Sequence, residues 1–258
     1  MASPAFTVTI THVEHYTESY FRLRVTRPEG LRFVSGQFMM IGLQLEDRHI
    51  MRAYSIASAY WDEELEFYSI IIQDGELTSR LQHVKVGDEV ILSARPVGTL
   101  TLRGLKPRGK RLFMLSTGTG IAPFASVIRD DEVYDKFDEV YLTHTCRYSK
   151  DLTYGFDRIQ EAKECPLVGE EASQKLFHYG SVTREPYQYE GRITTLIENG
   201  KFFRDLGIPS FDCETDRIMI CGSLAMLHDL QKLLDVLGFD RGSNSRPGEY
   251  VWEQAFSG

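Results

Sequence analysis

The run Arg52-Ala53-Tyr54-Ser55 places a cation, an aromatic ring and a hydroxyl within four residues of one β-rich stretch. Arginine grips phosphate oxygens with two parallel N–H bonds. A phenol ring offers a flat wall to a planar heterocycle, and a serine hydroxyl can bond to one of its nitrogens. A flavin asks for these three things: charge for its pyrophosphate, a surface for its ring and hydrogen bonds that tune its electronics. Strand periodicity puts Arg52 and Tyr54 on one face and Ser55 on the other, unless the strand ends there. Taken singly, Tyr54 is an ordinary sheet tyrosine and Arg52 a surface charge. A second stretch, Thr117-Gly118-Thr119-Gly120-Ile121-Ala122-Pro123, follows an apolar run and precedes a helical pattern. Its glycines allow backbone N–H groups to close around a pyrophosphate. It is not the Gly-x-Gly-x-x-Gly fingerprint, because Pro123 occupies the third glycine's place, and no Gly-Lys-Ser/Thr follows to make an ATPase phosphate loop.

These residues need elements to hold them. Phe6–Ile10 and Phe21–Val25 alternate apolar with polar residues, and β-rich runs follow at 37–45, 51–58, 64–72 and 90–93, separated by Gly, Asp and Pro. Short strands at such spacing predict a small antiparallel barrel. Gly75–Leu81 reads as one helical turn with Thr78 or Ser79 as its cap, either an anion-facing helix start or a plain hairpin connection. After 104–109, rich in Gly, Pro and basic residues, the rhythm changes. Arg111–Ser116 is almost continuously apolar, as in a strand covered on both faces. Helices at 124–129 and 152–162 and strands at 139–145, 176–182 and 218–221 follow. A helix after Ser223 carries Leu224, Leu227, Leu230, Leu234 and Leu237 at three-or-four spacing and is stopped by Gly238. A last strand is expected at 250–256. The expected division is 1–103 for the barrel, 104–109 as linker and 110–258 for a Rossmann-like parallel α/β domain.

The chain of 258 residues has 42% hydrophobic and 26% charged residues and a net charge of −8, a globular composition that argues against general nucleic-acid affinity. Lys106, Arg108, Lys110 and Arg111 form a basic cluster that is either a docking patch for an acidic partner or, as such runs more often are, a solvated linker face. Cys146, Cys165, Cys213 and Cys221 have neither Cys-x-x-Cys nor metal-ligand spacing, so no disulfide framework, iron–sulfur cluster or other metal is expected. The N-terminal residues show no secretory pattern and no apolar run spans a bilayer, so the expected location is the cytoplasm, without membrane insertion. A monomer is the expected state.

Arg52–Ser55, Gly75–Leu81, Thr117–Phe124, Cys221-Gly222-Ser223 and Glu253-Gln254-Ala255-Phe256 occur in this order. The set resembles the ferredoxin–NADP reductase family over essentially the whole chain, specifically its bacterial, ferredoxin/flavodoxin-dependent type. The resemblance implies a six-stranded antiparallel FAD-binding β-barrel followed by a parallel α/β NADP-binding domain, with FAD and NADP(H) as cofactors and ferredoxin or flavodoxin as electron-transfer partner. It implies FAD contacts from Arg52, Ala53, Tyr54, Ser55, Gly75, Leu77, Thr78, Ser79, Thr117, Ala255 and Phe256. Tyr54 would lie on the isoalloxazine, Ser55 would bond near its N5, and Phe256 would cover the adenine end. Thr117, Gly118, Thr119 and Gly120 would take the NADP pyrophosphate, with Cys221 and Gly222 near the nicotinamide. Arg147, Arg184 and Arg192 match the pocket for the 2′-phosphate, which favours NADP over NAD. Ser55, Cys221, Glu253 and Ala255 would surround the reacting atoms. Plant-type relatives end in an aromatic residue on the flavin, where this chain has Ala255. A reductase for free flavin, ferric chelate or an oxygenase, and a binding module without turnover, are the other readings.

Overall fold

Alternation of apolar and polar residues produces the first sheet. The computed structural model describes residues 5–46 and 48–255. Strands β1 (Ala5–His15), β2 (Tyr20–Thr26), β3 (Phe38–Gln44), β4 (His49–Ser55), β5 (Glu64–Ile70) and β6 (Glu89–Ser93) form one sheet in the order β4-β3-β6-β1-β2-β5. Every neighbouring pair is antiparallel. Inward residues such as Ile10, Leu23, Met39, Ile41, Phe67 and Leu92 are fully buried in one apolar cluster. The sheet curls until its end strands meet. The Ala57 N–H donates to the Glu66 carbonyl at 2.8 Å, and the Tyr54 and Ser69 hydroxyls share a hydrogen bond of 3.1 Å. This is the expected barrel, with α1 (Thr78–Leu81) between β5 and β6.

The expected cap of α1 is corrected. Leu77 occupies the cap position with no side-chain hydrogen bond, and the Thr78 hydroxyl turns back to the Ile72 carbonyl at 3.0 Å. Four residues make a single turn whose geometry is set by the buried Leu77 and Leu81 beneath it.

The second sheet is parallel, built from β7 (Arg111–Thr117), β8 (Glu139–Cys146), β9 (Leu176–Val182), β10 (Asp216–Gly222) and β11 (Tyr250–Gln254) in the order β11-β10-β7-β8-β9. The connections carry α2 (Ala122–Val127), α3 (Asp131–Lys136), α4 (Thr153–Glu164), α5 (Gly169–Lys175), α6 (Ile193–Glu198), α7 (Lys201–Leu206) and α8 (Leu224–Val236). β7 is apolar on both faces because both are covered: Leu112 and Met114 join one buried cluster, and Phe113 and Leu115 join the other. α2 begins earlier than its sequence pattern predicts. A 3-10 turn over Gly118–Ile121 runs directly into it, and Pro123 sits in its first turn, where the missing N–H costs nothing. The cap by Ser223 holds, its hydroxyl accepting from the Met226 N–H, but the buried stripe of α8 is Met226, Leu227, Leu230 and Leu234, while Leu224 and Leu237 are exposed. β11 ends at Gln254. The expected extension stops short, since Ala255 is already outside the strand, and Phe256 lies outside the described residues.

Only part of the basic cluster is open: Arg108 and Lys110 are exposed, whereas Arg111 and Lys106 are engaged. Arg111 is buried, with Nε and Nη2 each 2.6 Å from a carboxylate oxygen of buried Asp216. Lys106 pairs with Glu249 at 2.5 Å. No helix among the described residues is long and apolar enough to cross a membrane.

Candidate functional site

A cleft of about 230 Å³ opens between the ends of β4 and β5 and the glycine loop. Arg52, Ala53, Tyr54 and Ser55 all line it, because β4 ends at Ser55 and the alternation of faces lapses there. Tyr68, Ser69 and Thr78 complete the barrel side. Tyr54 is held by its hydroxyl on Ser69 and by an edge-on Phe67 ring at 6.5 Å. The Arg52 guanidinium is half exposed and lies 3.4 Å from a Glu76 oxygen, so an incoming phosphate would share it with that carboxylate. Of the other α1-region residues, Gly75, Leu77 and Ser79 stand outside the cleft walls, with the Leu77 side chain in the barrel core. Phe256 lies outside the described residues. A flat ring wall, a hydroxyl at the strand end and a half-exposed guanidinium beside Glu76 fit a flavin dinucleotide.

A second cleft, of about 380 Å³, lies at the carboxyl ends of the parallel strands. Thr117 ends β7, Gly118 and Thr119 follow it, Arg147 follows β8, and Thr183 follows β9. Here the chain reverses direction across the sheet, since β8 and β9 lie on one side of β7 and β10 and β11 on the other. Ligands of open α/β sheets bind at such a switch point. Gly118 adopts φ +52°, which its lack of a side chain permits. Gly120 is packed so closely under the loop that an added Cβ would lie 2.1 Å from the Cys221 carbonyl oxygen. The Ser223 N–H donates to the Thr117 hydroxyl at 3.2 Å, tying the loop after β10 to the loop after β7. Arg147 and Arg192 both line the cleft, with Asp229 opposite. Arg184 does not; its exposed side chain stands outside, although its N–H donates to the Arg147 carbonyl at 3.0 Å.

The two clefts share Ile70, Thr119 and Ala255. Ala255 is fixed there by its N–H on the Gly222 carbonyl at 3.0 Å. Cys221 and Gly222 lie behind this junction. Cys221 is 1% exposed, and burial followed by the Glu253 charge pushes its thiol far up, so it is a neutral thiol. Glu253 is paired with Cys221 across β10 and β11. Burial raises its carboxyl to about 7, against a hydrogen bond with the Thr99 backbone, and its Oε2 has no partner among the described residues. Tyr20, Tyr68 and Asp229 are wall residues that sequence reading missed. Tyr20 enters because it pairs with Ile70 across β2 and β5, and nothing in the local sequence marks that pairing.

An antiparallel barrel joined to a parallel nucleotide-binding sheet, with one cleft on each and a shared floor, defines a class of flavin- and nicotinamide-dependent oxidoreductases. Residues 7–101 match the family model described as an oxidoreductase FAD-binding domain, and residues 114–232 that of an oxidoreductase NAD-binding domain. The chain is 55% identical over 252 residues to the flavodoxin/ferredoxin–NADP reductase of Rhodobacter capsulatus, covering 97% of this chain and 93% of that protein. It is 45% identical to the ferredoxin–NADP reductase of Pseudomonas aeruginosa, with 98% of each chain covered. The crystal structure of a ferredoxin NADP+ reductase from Neisseria gonorrhoeae with bound FAD and NADP superposes with a TM-score of 0.87 at 31% identity, covering 98% of this chain and 99% of that one. The chain belongs to the ferredoxin–NADP reductase family, whose members are FAD-dependent oxidoreductases.

Proposed function

We propose that the protein is a ferredoxin/flavodoxin–NADP reductase and that the floor shared by the two clefts is its reaction centre. FAD held there would supply hydride exchange with NADP(H) and single-electron exchange with a ferredoxin or flavodoxin. The residues orient and enclose that exchange. Tyr54 walls the isoalloxazine, Ser55 presents its hydroxyl toward N5, and Arg52 with Thr78 meets the FAD pyrophosphate. Thr117, Gly118, Thr119 and Gly120 hold the NADP pyrophosphate through their backbone. Arg147 and Arg192 take the 2′-phosphate, while Arg184 acts through the backbone bond that positions Arg147. Ala255 is small enough to leave the nicotinamide its place on the ring, and Cys221 and Gly222 back that place. Glu253, its carboxyl raised by burial to about 7, takes up and gives up a proton near it around neutral pH. The observation that carries this reading is the sharing of Ile70, Thr119 and Ala255 by both clefts, since hydride transfer needs the two rings in contact.

We also place the domain boundary at 104–109, where Gly104 and Lys106 are bonded to Gly248 and so tie the linker to the second domain. We place the protein in the cytoplasm as a monomer; the four free thiols fit a reducing compartment. The test is anaerobic stopped-flow absorbance of the FAD-loaded protein with NADPH and with NADH, then reoxidation by ferredoxin, flavodoxin and free FMN. Fast bleaching by NADPH, slow bleaching by NADH and preferred reoxidation by a protein carrier are expected. Preference for NADH or for free FMN would overturn the proposal.

A further inference from the structure

The buried imidazole of His144 is used by none of the roles above. It stands on β8 in register with Ser116, two residues ahead of the glycine loop. Its Nε2 lies 3.0 Å from the Gly118 carbonyl oxygen and 3.2 Å from the Cys146 Sγ. A carbonyl oxygen only accepts, so Nε2 carries the hydrogen and donates it. Nδ1 is then a bare lone pair, and it has no hydrogen-bond partner among the described residues. Burial lowers the imidazole to about 4, against the Gly118 bond, so it stays neutral near pH 7. Gly155 on α4 packs against this edge of the ring: a Cβ added there would come 2.8 Å from Nδ1 and 2.8 Å from the Ile121 Cδ1.

Gly118 is the residue of the loop with a left-handed backbone, and at such a residue the orientation of the peptide plane is loosely set by sterics. The bond from His144 fixes the carbonyl on the inner side. The same plane carries the Thr119 N–H, which is thereby turned outward to the cleft.

We propose that His144 is a positioning residue for nucleotide binding: by anchoring the Gly118 carbonyl from behind, it aims the loop's N–H groups at the dinucleotide pyrophosphate. This rests on the reading that the loop holds the NADP pyrophosphate. The signature is selective. His144 governs the pyrophosphate contacts and leaves the 2′-phosphate contacts at Arg147 and Arg192 alone.

The experiment is calorimetric titration of the FAD-loaded protein and its variants with NADP+ and with 2′-AMP, which carries the 2′-phosphate but no pyrophosphate. His144→Leu is expected to weaken NADP+ about five- to tenfold, the loss of one well-placed hydrogen bond. Binding of 2′-AMP and kcat with saturating NADPH should stay within about twofold. His144→Gln, which restores an N–H donor, is expected to recover NADP+ affinity. Gly155→Ala keeps the imidazole but crowds it, and should reproduce the split even though alanine favours the helix. Undiminished NADP+ affinity in His144→Leu or Gly155→Ala would overturn the proposal, as would equal weakening of both ligands without rescue by glutamine. A native protein that binds NADP+ no tighter than 2′-AMP would overturn the pyrophosphate reading itself, and this proposal with it.

Discussion

At the scale of single residues, two side chains near the junction of the clefts, Ser55 in the wall of one and Glu253 on β11 just before Ala255, have opposite demands. Ser55 ends β4 and faces the cleft, so its hydroxyl is available to a flavin nitrogen without a conformational change. Ser55→Ala is expected to slow single-turnover flavin reduction by NADPH about tenfold, roughly 1.4 kcal/mol of barrier, with FAD still bound. Unchanged stopped-flow reduction would refute that role. Glu253 instead costs stability when ionised. Its carboxyl is raised from 4.5 to about 7 in the fold, so the folded protein holds the proton more firmly than the unfolded chain. The stabilisation is present below about pH 4.5 and is lost as pH rises through 7. Glu253→Gln keeps the shape without the charge. Above pH 7 it should be more stable than the native protein by about 1–2 kcal/mol, discounted for partial exposure, and the two should converge near pH 4.5 in denaturant titrations. Both residues were legible in the sequence as candidates. The raised carboxyl was not, because burial beside Cys221 follows from the β10–β11 pairing and not from neighbours in the chain.

At the scale of elements, the glycine loop works because its two glycines do different things. Gly118 supplies a backbone conformation, and Gly120 supplies absence of volume against the Cys221 carbonyl. Sequence reading recognises a glycine pair after a buried strand but cannot assign these separate reasons. Gly120→Ala is expected to lift the loop, weakening NADP+ at least tenfold and costing about 1–3 kcal/mol of stability by overpacking. FAD should be retained. NADP+ titration with flavin absorbance as reporter checks this, and native affinity would mean that the loop accommodates the methyl group. The turn at α1 shows the opposite outcome. Thr78 looked like a cap from its position after Gly75, yet its hydroxyl serves the Ile72 backbone, since the buried Leu77 and Leu81 dictate which way the turn faces.

At the scale of the whole molecule, a buried carboxylate joins the two sheets. Glu66 on β5 meets Arg22 and Arg24 from β2 at 3.3 and 2.8 Å, Arg158 of α4 at 3.2 Å and the Tyr154 hydroxyl at 2.9 Å. Beside it the Tyr68 ring stacks on Tyr154 at 3.8 Å, and Tyr68 also walls the flavin cleft. Burial penalises the Glu66 charge, but Arg158, Arg22 and Arg24 together outweigh it and hold the carboxyl below its ordinary range. Glu66→Gln takes the carboxylate from Arg24, while Arg22 keeps Glu14 and Arg158 keeps Glu161, and should cost about 3 kcal/mol in denaturant unfolding at pH 7. Because the native carboxyl is depressed, its contribution is complete above about 4.5 and is lost as pH falls below that, so the variant's deficit should shrink in acid. A deficit that is flat with pH would show that the charge is not what Glu66 contributes.

Local pattern alone determined the barrel, the parallel sheet, the glycine loop after a buried strand and the residues of the Arg52–Ser55 run, because periodicity and turn chemistry act between near neighbours in the chain. Tertiary structure decided the rest. It brought Arg147 and Arg192 to one cleft and left Arg184 outside. It buried Arg111 on Asp216, taking one of the four basic residues out of the patch that the sequence suggested. It set Cys221 behind the junction, brought Tyr20 and Tyr68 to the walls from distant strands, and put His144 beneath Gly118. Those placements depend on strand register and on the crossover between β9 and β10, which pair residues far apart in the chain and leave no signal in any short window of it.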